Sequence, residues 1–116
     1  MIAVTLPFPP SVNNLYATSK TRRYVSRRYR RWRHDAGWAI ELAKLTPTTG
    51  PVHLAILLTV PDQVRRDADN YAKAVIDLAV THRLIPDDSR EVVRSIAISW
   101  AEHLGPPSAR LTIRPA

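Results

Sequence analysis

Apolar and polar positions follow two rhythms along this chain, a period near two and a period near 3.6. "MIAVTL" (1–6) reads as a short strand, and "PFPPSVNN" closes it, because proline fixes φ and lacks a backbone donor. Ser26 is placed to cap a helix over about 27–45, in which Tyr29, Trp32, Ala36, Ile40 and Ala43 recur at three- and four-residue steps as a core-facing stripe. "TPTTGP" (46–51) ends that helix. "VHLAILLTV" (52–60) is β-branched and apolar on both faces, as a central strand is, and Pro61 stops it. A second helix is predicted over 67–82, with Tyr71, Ala72, Val75, Leu78 and Ala79 as its buried stripe. After the turn "RLIPDDS", residues 91–103 alternate Ile96, Ile98 and Trp100 with polar or small residues, as a half-buried strand does. "GPPS" then leads into "ARLTIR" (109–114), which predicts a C-terminal hairpin. The order β-α-β-α-β-β predicts an α+β fold: a small mixed sheet of about four strands with two helices packed on it, in one domain spanning 1–116.

Charge changes the picture. The net charge is +7, and the excess lies in the first half: residues 1–50 hold nine Lys or Arg against two acids, whereas residues 51–116 hold eight of each. Eight of those cations fall in "KTRRYVSRRYRRWR" (20–33) without one acid, and like charges at i,i+4 oppose a helix, so the run needs a polyanion more than it suits a solvated face. Lys20, Arg22, Arg23, Arg27, Arg28, Arg30 and Arg31, with Arg65 and Arg66 further on, are the candidate phosphate contacts on nucleic acid. The chain has no cysteine, which excludes disulfides, thiolate nucleophiles and Cys-ligated zinc. No apolar run reaches the roughly 18 residues of a membrane helix, and no basic-then-apolar leader opens the chain, so an intracellular, cytoplasmic protein off the membrane is expected.

The candidate chemistry sits in "RRDADNYAKAVID" (65–77), which gathers Asp67, Asp69 and Asp77 around Lys73, with Asp87 and Asp88 ten residues on. Clustered carboxylates repel one another, and a hard cation such as Mg²⁺ or Mn²⁺ offsets that repulsion. Asp67 and Asp69 can share such a ligand only where the chain is extended, so the helix is expected to begin near Asp69 as its N-cap, with Lys73 and Asp77 following on the same face. Asp87 and Asp88 complete the site if their turn lies beside the helix start. Phosphodiester hydrolysis uses this equipment: a metal to generate hydroxide and neutralise charge, and a lysine to hold phosphate. The rival account is a non-catalytic nucleic-acid-binding module, or a basic protein-interaction module, in which the acids only cap helices, form an i,i+4 ladder or shape a turn. The four histidines, His34, His53, His82 and His103, have no ligand spacing. Tyr16 and Tyr24 are candidates for stacking on exposed bases, and Asn13 and Asn14 for stabilising the proline-rich turn.

"RRDADNYAKAVIDLAVTHRLIPDDSREV" resembles the signature of the RusA-type Holliday junction resolvases: an Arg-rich lead, Asp-x-Asp-Asn, a lysine three residues after the Asn, and an Asp-Asp pair at the helix exit. "TLPFPPSVNNLY" followed by "RRYVSRRYRRWR" is similar to the N-terminal region of that family, and the likeness covers roughly residues 4–95. The resemblance implies an Mg²⁺-dependent endodeoxyribonuclease, a homodimer acting on four-way DNA junctions in recombination and repair, and commonly encoded by a phage or prophage. It puts the essential acids on Asp67, Asp69 and Asp88 and the active-site lysine on Lys73, while Asp87 and Asn70 match motif positions. The lead "DQVRR" is less basic than the family pattern, which shifts the expected DNA grip toward residues 20–33.

Overall fold

The computed structural model describes residues 1–116. Eight regular elements follow one another: β1 (Ile2–Pro7), β2 (Tyr16–Thr18), β3 (Arg23–Val25), α1 (Arg27–Ala43), β4 (Val52–Thr59), α2 (Ala72–Thr81), β5 (Val93–Trp100) and β6 (Ser108–Pro115), with 3₁₀ turns at Val12–Asn14 and Ala68–Tyr71. Four strands form one mixed sheet in the order β1-β6-β4-β5, and β2 and β3 form a separate two-stranded ribbon. The predicted α+β class with two helices on a four-stranded sheet holds.

The alternation in β4 and β6 explains the core. Leu54, Ile56 and Leu58 stand opposite Ile113, Leu111 and Ala109, and all six are buried to 1% exposure or less. The far face of β4 carries Ala55 and an exposed Leu57, so this strand is central in the sheet but covered on one face, not on both. Helix α1 closes over the covered face with Tyr29, Trp32, Ala36 and Ile40, and its stripe stops there because Ala43 is exposed. Ser26 caps α1 as the sequence predicts: its Oγ accepts the Tyr29 N–H at 3.1 Å and donates to the Asn14 carbonyl at 2.7 Å. The Trp32 indole N–H donates to the Pro7 carbonyl at 2.8 Å, which ties α1 to the end of β1.

Two expectations about connectivity need correction. Strands β5 and β6 are not a hairpin: β5 pairs only with β4, in parallel, while β6 runs antiparallel between β1 and β4. Ala109, Leu111 and Ile113 are fully buried, so β6 is the strand fit for the interior. Strand β5, with Ile96 and Trp100 still 46% and 37% exposed and Ile98 half-buried, is left at the edge. Residues 7–26 are also more than a loop, because Tyr16–Thr18 and Arg23–Val25 pair across a short turn. A parallel pair needs a crossover, and α2 supplies it between β4 and β5.

Candidate active site and nucleic-acid interface

The acidic segment lies at one end of that crossover. The chain is extended at Asp67 (φ −98°, ψ 120°) and then enters the Ala68–Tyr71 3₁₀ turn, so α2 begins at Ala72 with Tyr71 at its N-cap position. Asp69 is therefore inside the 3₁₀ turn and is not the helix cap that its sequence position suggests. The shift also breaks the expected ladder: Lys73 Nζ donates to Asp77 Oδ2 at 3.1 Å, whereas Asp69 makes no such rung. Hydrogen bonding to Asp77 holds the Lys73 ammonium above its ordinary value, so this lysine is a fixed cation and not a proton acceptor at neutral pH.

The ten acids are used in three ways. Five contact a cationic or histidine partner: Asp35 with His34, Asp62 with Arg66, Asp77 with Lys73, Glu41 with His82, and Glu91 with Arg90. Asp87 accepts the Ser89 N–H at 2.8 Å, and hydrogen bonding to Ser89 lowers its pKa below the ordinary value. The side chains of the remaining four, Asp67, Asp69, Asp88 and Glu102, accept no hydrogen bond and join no ion pair. Three of these four are the acids that the family resemblance makes essential. A chain with 17 Lys and Arg has left them unpaired, and they cap nothing.

Unpaired, exposed carboxylates are the donor chemistry that a hard divalent cation takes. In a single chain they do not converge: no group of three or more His, Cys, Asp or Glu side chains is positioned to hold a metal ion. Topology explains this. Asp67 and Asp69 precede α2 and Asp88 follows it, so the ten residues of the helix, about 15 Å of rise, separate them. The expectation that the Asp87–Asp88 turn lies beside the helix start is not met within one chain. Asn70 is half-buried in the 3₁₀ turn, and its N–H donates to the Asp67 carbonyl at 3.1 Å.

The basic surface borders the acidic turn. Arg27, Arg28, Arg30, Arg31 and Arg33 are all exposed along α1. Arg30 reaches back to the Val25 carbonyl at 3.4 Å, and Arg33 lies 4.1 Å over the Tyr29 ring, while Arg27, Arg28 and Arg31 make no side-chain hydrogen bond or ion pair. Lys20, Arg22 and Arg23 project from the β2–β3 ribbon, where Arg23 sits 4.1 Å over the Tyr16 ring. Tyr16 in turn packs edge-on against Tyr29, and exposed Tyr24 is the ribbon's free aromatic face. Tyr16, Arg23 and Tyr24 line a shallow cleft together with Lys73, which places the ribbon beside the lysine. Arg65 is exposed and unpaired, but Arg66 is bound to Asp62 at 2.7 Å, a pairing legible in their i,i+4 spacing, so Arg66 is not the free phosphate contact expected.

Comparison with known proteins identifies the lineage. A family profile described as endodeoxyribonuclease RusA matches residues 7–114. The chain belongs to the RusA family. It is 28% identical over 114 residues to the crossover junction endodeoxyribonuclease rusA of Enterobacteria phage HK97, covering 94% of this chain and 88% of that protein. It is 34% identical over 91 residues to the crossover junction endodeoxyribonuclease RusA of Escherichia coli K12, covering 78% of this chain and 76% of that one. The RusA match runs from Pro7, the last residue of β1, to Arg114 in β6, so the C-terminal strands that carry no motif of their own lie within the family's limits apart from the final Pro115. No helix in the chain is long and apolar enough to cross a membrane.

Proposed function

We propose that this chain is an Mg²⁺-dependent endodeoxyribonuclease that resolves four-way DNA junctions by phosphodiester hydrolysis, working as a homodimer in the cytoplasm of a bacterial host and serving recombination and repair. The observation that carries the reading is the set of unspent acids: Asp67, Asp69 and Asp88 are left without partners in a strongly basic member of a nuclease family.

Asp67, Asp69 and Asp88 would hold the cation, with the oxygens of Asp87 not used by Ser89 as an auxiliary. A bound divalent ion supplies hydroxide near neutral pH and offsets charge on the phosphate. The rest is the work of the chain's own groups. Lys73, kept charged by Asp77, stabilises negative charge on the phosphoryl oxygens. Arg27, Arg28 and Arg31, free of internal partners, hold backbone phosphates and set the position of the strand more than they read its sequence.

The separation of the acids within one chain supports the dimeric part of the reading. The outer edge of β5 is unpaired and leaves Ile96, Ile98 and Trp100 partly uncovered. A second copy adding its own β5 antiparallel about a two-fold axis would extend the sheet and cover those side chains. Antiparallel pairing runs the start of one β5 beside the end of the other. The Asp88 turn leads into the start of β5, and Tyr71 of the acidic turn packs against Trp100 at its end, with ring centroids 6.2 Å apart. One copy's Asp88 would thus approach the other copy's Asp67 and Asp69, giving two symmetric sites for two opposed strands.

The test is a labelled synthetic four-way junction incubated with and without Mg²⁺, with linear duplex alongside. Paired nicks in the junction that require Mg²⁺ are expected, with the duplex left intact. A junction that stays whole in both Mg²⁺ and Mn²⁺, or a duplex cut as readily, overturns the proposal.

A further inference from the structure

Between α1 and the acidic turn lies a cleft of about 310 Å³ that the phosphate-contact account does not explain. Its walls include Phe8 and Tyr71, whose rings lie 4.9 Å apart at 59°, and its polar groups come from Ser11, Asn14, Arg28 and Arg66. We propose that this cleft receives a single unstacked nucleobase from the branch point of the DNA, with the adjoining phosphate on Arg28. The inference rests on the junction-nuclease reading above and adds to it a device for choosing branched over linear DNA.

Three features argue for a base over a phosphate alone. Arg66 already faces Asp62 at 2.7 Å, so half of the cationic charge at the cleft is spent, and Arg28 is the guanidinium left free. Phe8, Trp32 and Tyr71 in the lining are aromatic, and any base stacks on such rings through its π face. The polar rim is fixed in advance: Asn14 Nδ2 donates to Ser11 Oγ at 2.9 Å while its backbone carbonyl accepts from Ser26 Oγ at 2.7 Å, which leaves Asn14 Oδ1 as an acceptor for a base edge. The volume is near the lower end for small-ligand sites, of order 300 Å³, enough for one nucleotide and far too small for a duplex. A base inside a duplex is stacked on both faces and cannot reach these rings without costly extrusion, whereas a base at a branch point has already lost part of its stacking.

The test uses the full-length protein and junctions carrying 5-iodouracil at successive positions around the branch point, photo-crosslinked in EDTA so that no cutting occurs. Cross-linked peptides mapping to Phe8 or Tyr71, from branch-point positions and not from the same base in linear duplex, are expected. Phe8→Leu keeps an apolar side chain but removes the π face, and Arg28→Gln alters an exposed residue; each should lower the preference for junction over duplex by about tenfold or more, with the melting temperature unchanged in Arg28→Gln and lowered modestly in Phe8→Leu, whose ring also packs on the core. If the wild-type protein binds and nicks junctions in Mg²⁺ but crosslinks map elsewhere, or form equally from duplex, the cleft assignment is overturned and the nuclease reading stands. If junctions are neither preferred nor nicked, both are overturned.

Discussion

Replacing Asp69 by asparagine separates the catalytic account from the capping account, because the two demand opposite outcomes from one substitution. The Asp69 side chain is exposed and accepts no hydrogen bond, and only its backbone carbonyl is used, by the Ala72 N–H. Removing its charge while keeping its shape should change stability by no more than about 0.5 kcal/mol, the ordinary range for a surface position without such a role. At roughly 4 °C per kcal/mol for a domain of this size, the melting temperature should move by about 2 °C or less. A helix-capping aspartate would instead cost about 1 kcal/mol, or about 4 °C. Junction affinity in EDTA should hold or rise about twofold: a carboxylate some 8 Å from a phosphate across water costs only about 0.5 kcal/mol, which the substitution removes. Nicking in Mg²⁺ should fall by at least about a thousandfold, as it does when a member of a catalytic group acting as a unit is lost. One preparation serves thermal melting, gel shift in EDTA and a junction-nicking time course. A protein that melts 4 °C lower yet nicks at the normal rate would refute the reasoning, since it would return Asp69 to a structural role.

Three further outcomes follow from other parts of the molecule. Arg27→Ala and Arg31→Ala should each reduce the slope of log affinity against log salt by about one, equally for junction and duplex, and a variant that alters one substrate only would mean these side chains do more than hold phosphates. Asp62 and Asp87 have pKa values lowered below the ordinary 3.8, so they contribute stability that is complete above that value and lost as pH falls through the lower folded one; the melting temperature should drop between about pH 5 and pH 2, and the double Asp62→Asn, Asp87→Asn variant should drop less, with identical acid limbs counting against the assignment. Ile96→Lys places a charge on the free edge strand, where it should abolish a dimer seen by sedimentation and, with it, nicking; a wild-type monomer at nicking concentrations would end the composite-site argument.

Much of this fold is legible because its signals are local. Ser26 announces α1 through a hydroxyl that bonds three residues on, and the 3.6-residue stripe from Tyr29 to Ile40 needs only the helix itself. The apolar run of β4 likewise marks an inner strand without knowledge of its neighbours. What cannot be read is non-local pairing. "GPPS" between two alternating segments has the look of a hairpin, yet the chain passes over β4 to insert β6 beside β1, a choice made by the burial of Ala109, Leu111 and Ile113 in the finished sheet. The ribbon of β2 and β3 is three residues per strand, too short for a period to emerge. At the site, the identity of the acids is legible as charge that repels itself, whereas the start of α2 is not: an aspartate before an apolar run reads as a cap, and a four-residue 3₁₀ turn displaces the true start to Ala72.

The electrostatic layout explains why unpaired acids persist in so basic a chain. On the exposed side of α1, Arg27, Arg28 and Arg31 have no internal partner, while Arg30 and Arg33 are held by the Val25 carbonyl and the Tyr29 ring, and five of the ten acids are matched to nearby cations or histidines. The 3₁₀ turn holds the Asp67 and Asp69 carboxylates away from those cations: Lys73 is taken by Asp77 and Arg66 by Asp62. Those two pairings do more than add a few tenths of a kcal/mol at the surface. They engage Arg66 and Lys73, two cations close in sequence to Asp67 and Asp69, so on the proposed reading the paired acids Asp62 and Asp77 help leave the unpaired ones free for a cation. Without them, the local field would draw Lys73 and Arg66 onto Asp67 and Asp69. The turn would then be an ordinary salt-bridged helix entry, with no unmet demand for a cation.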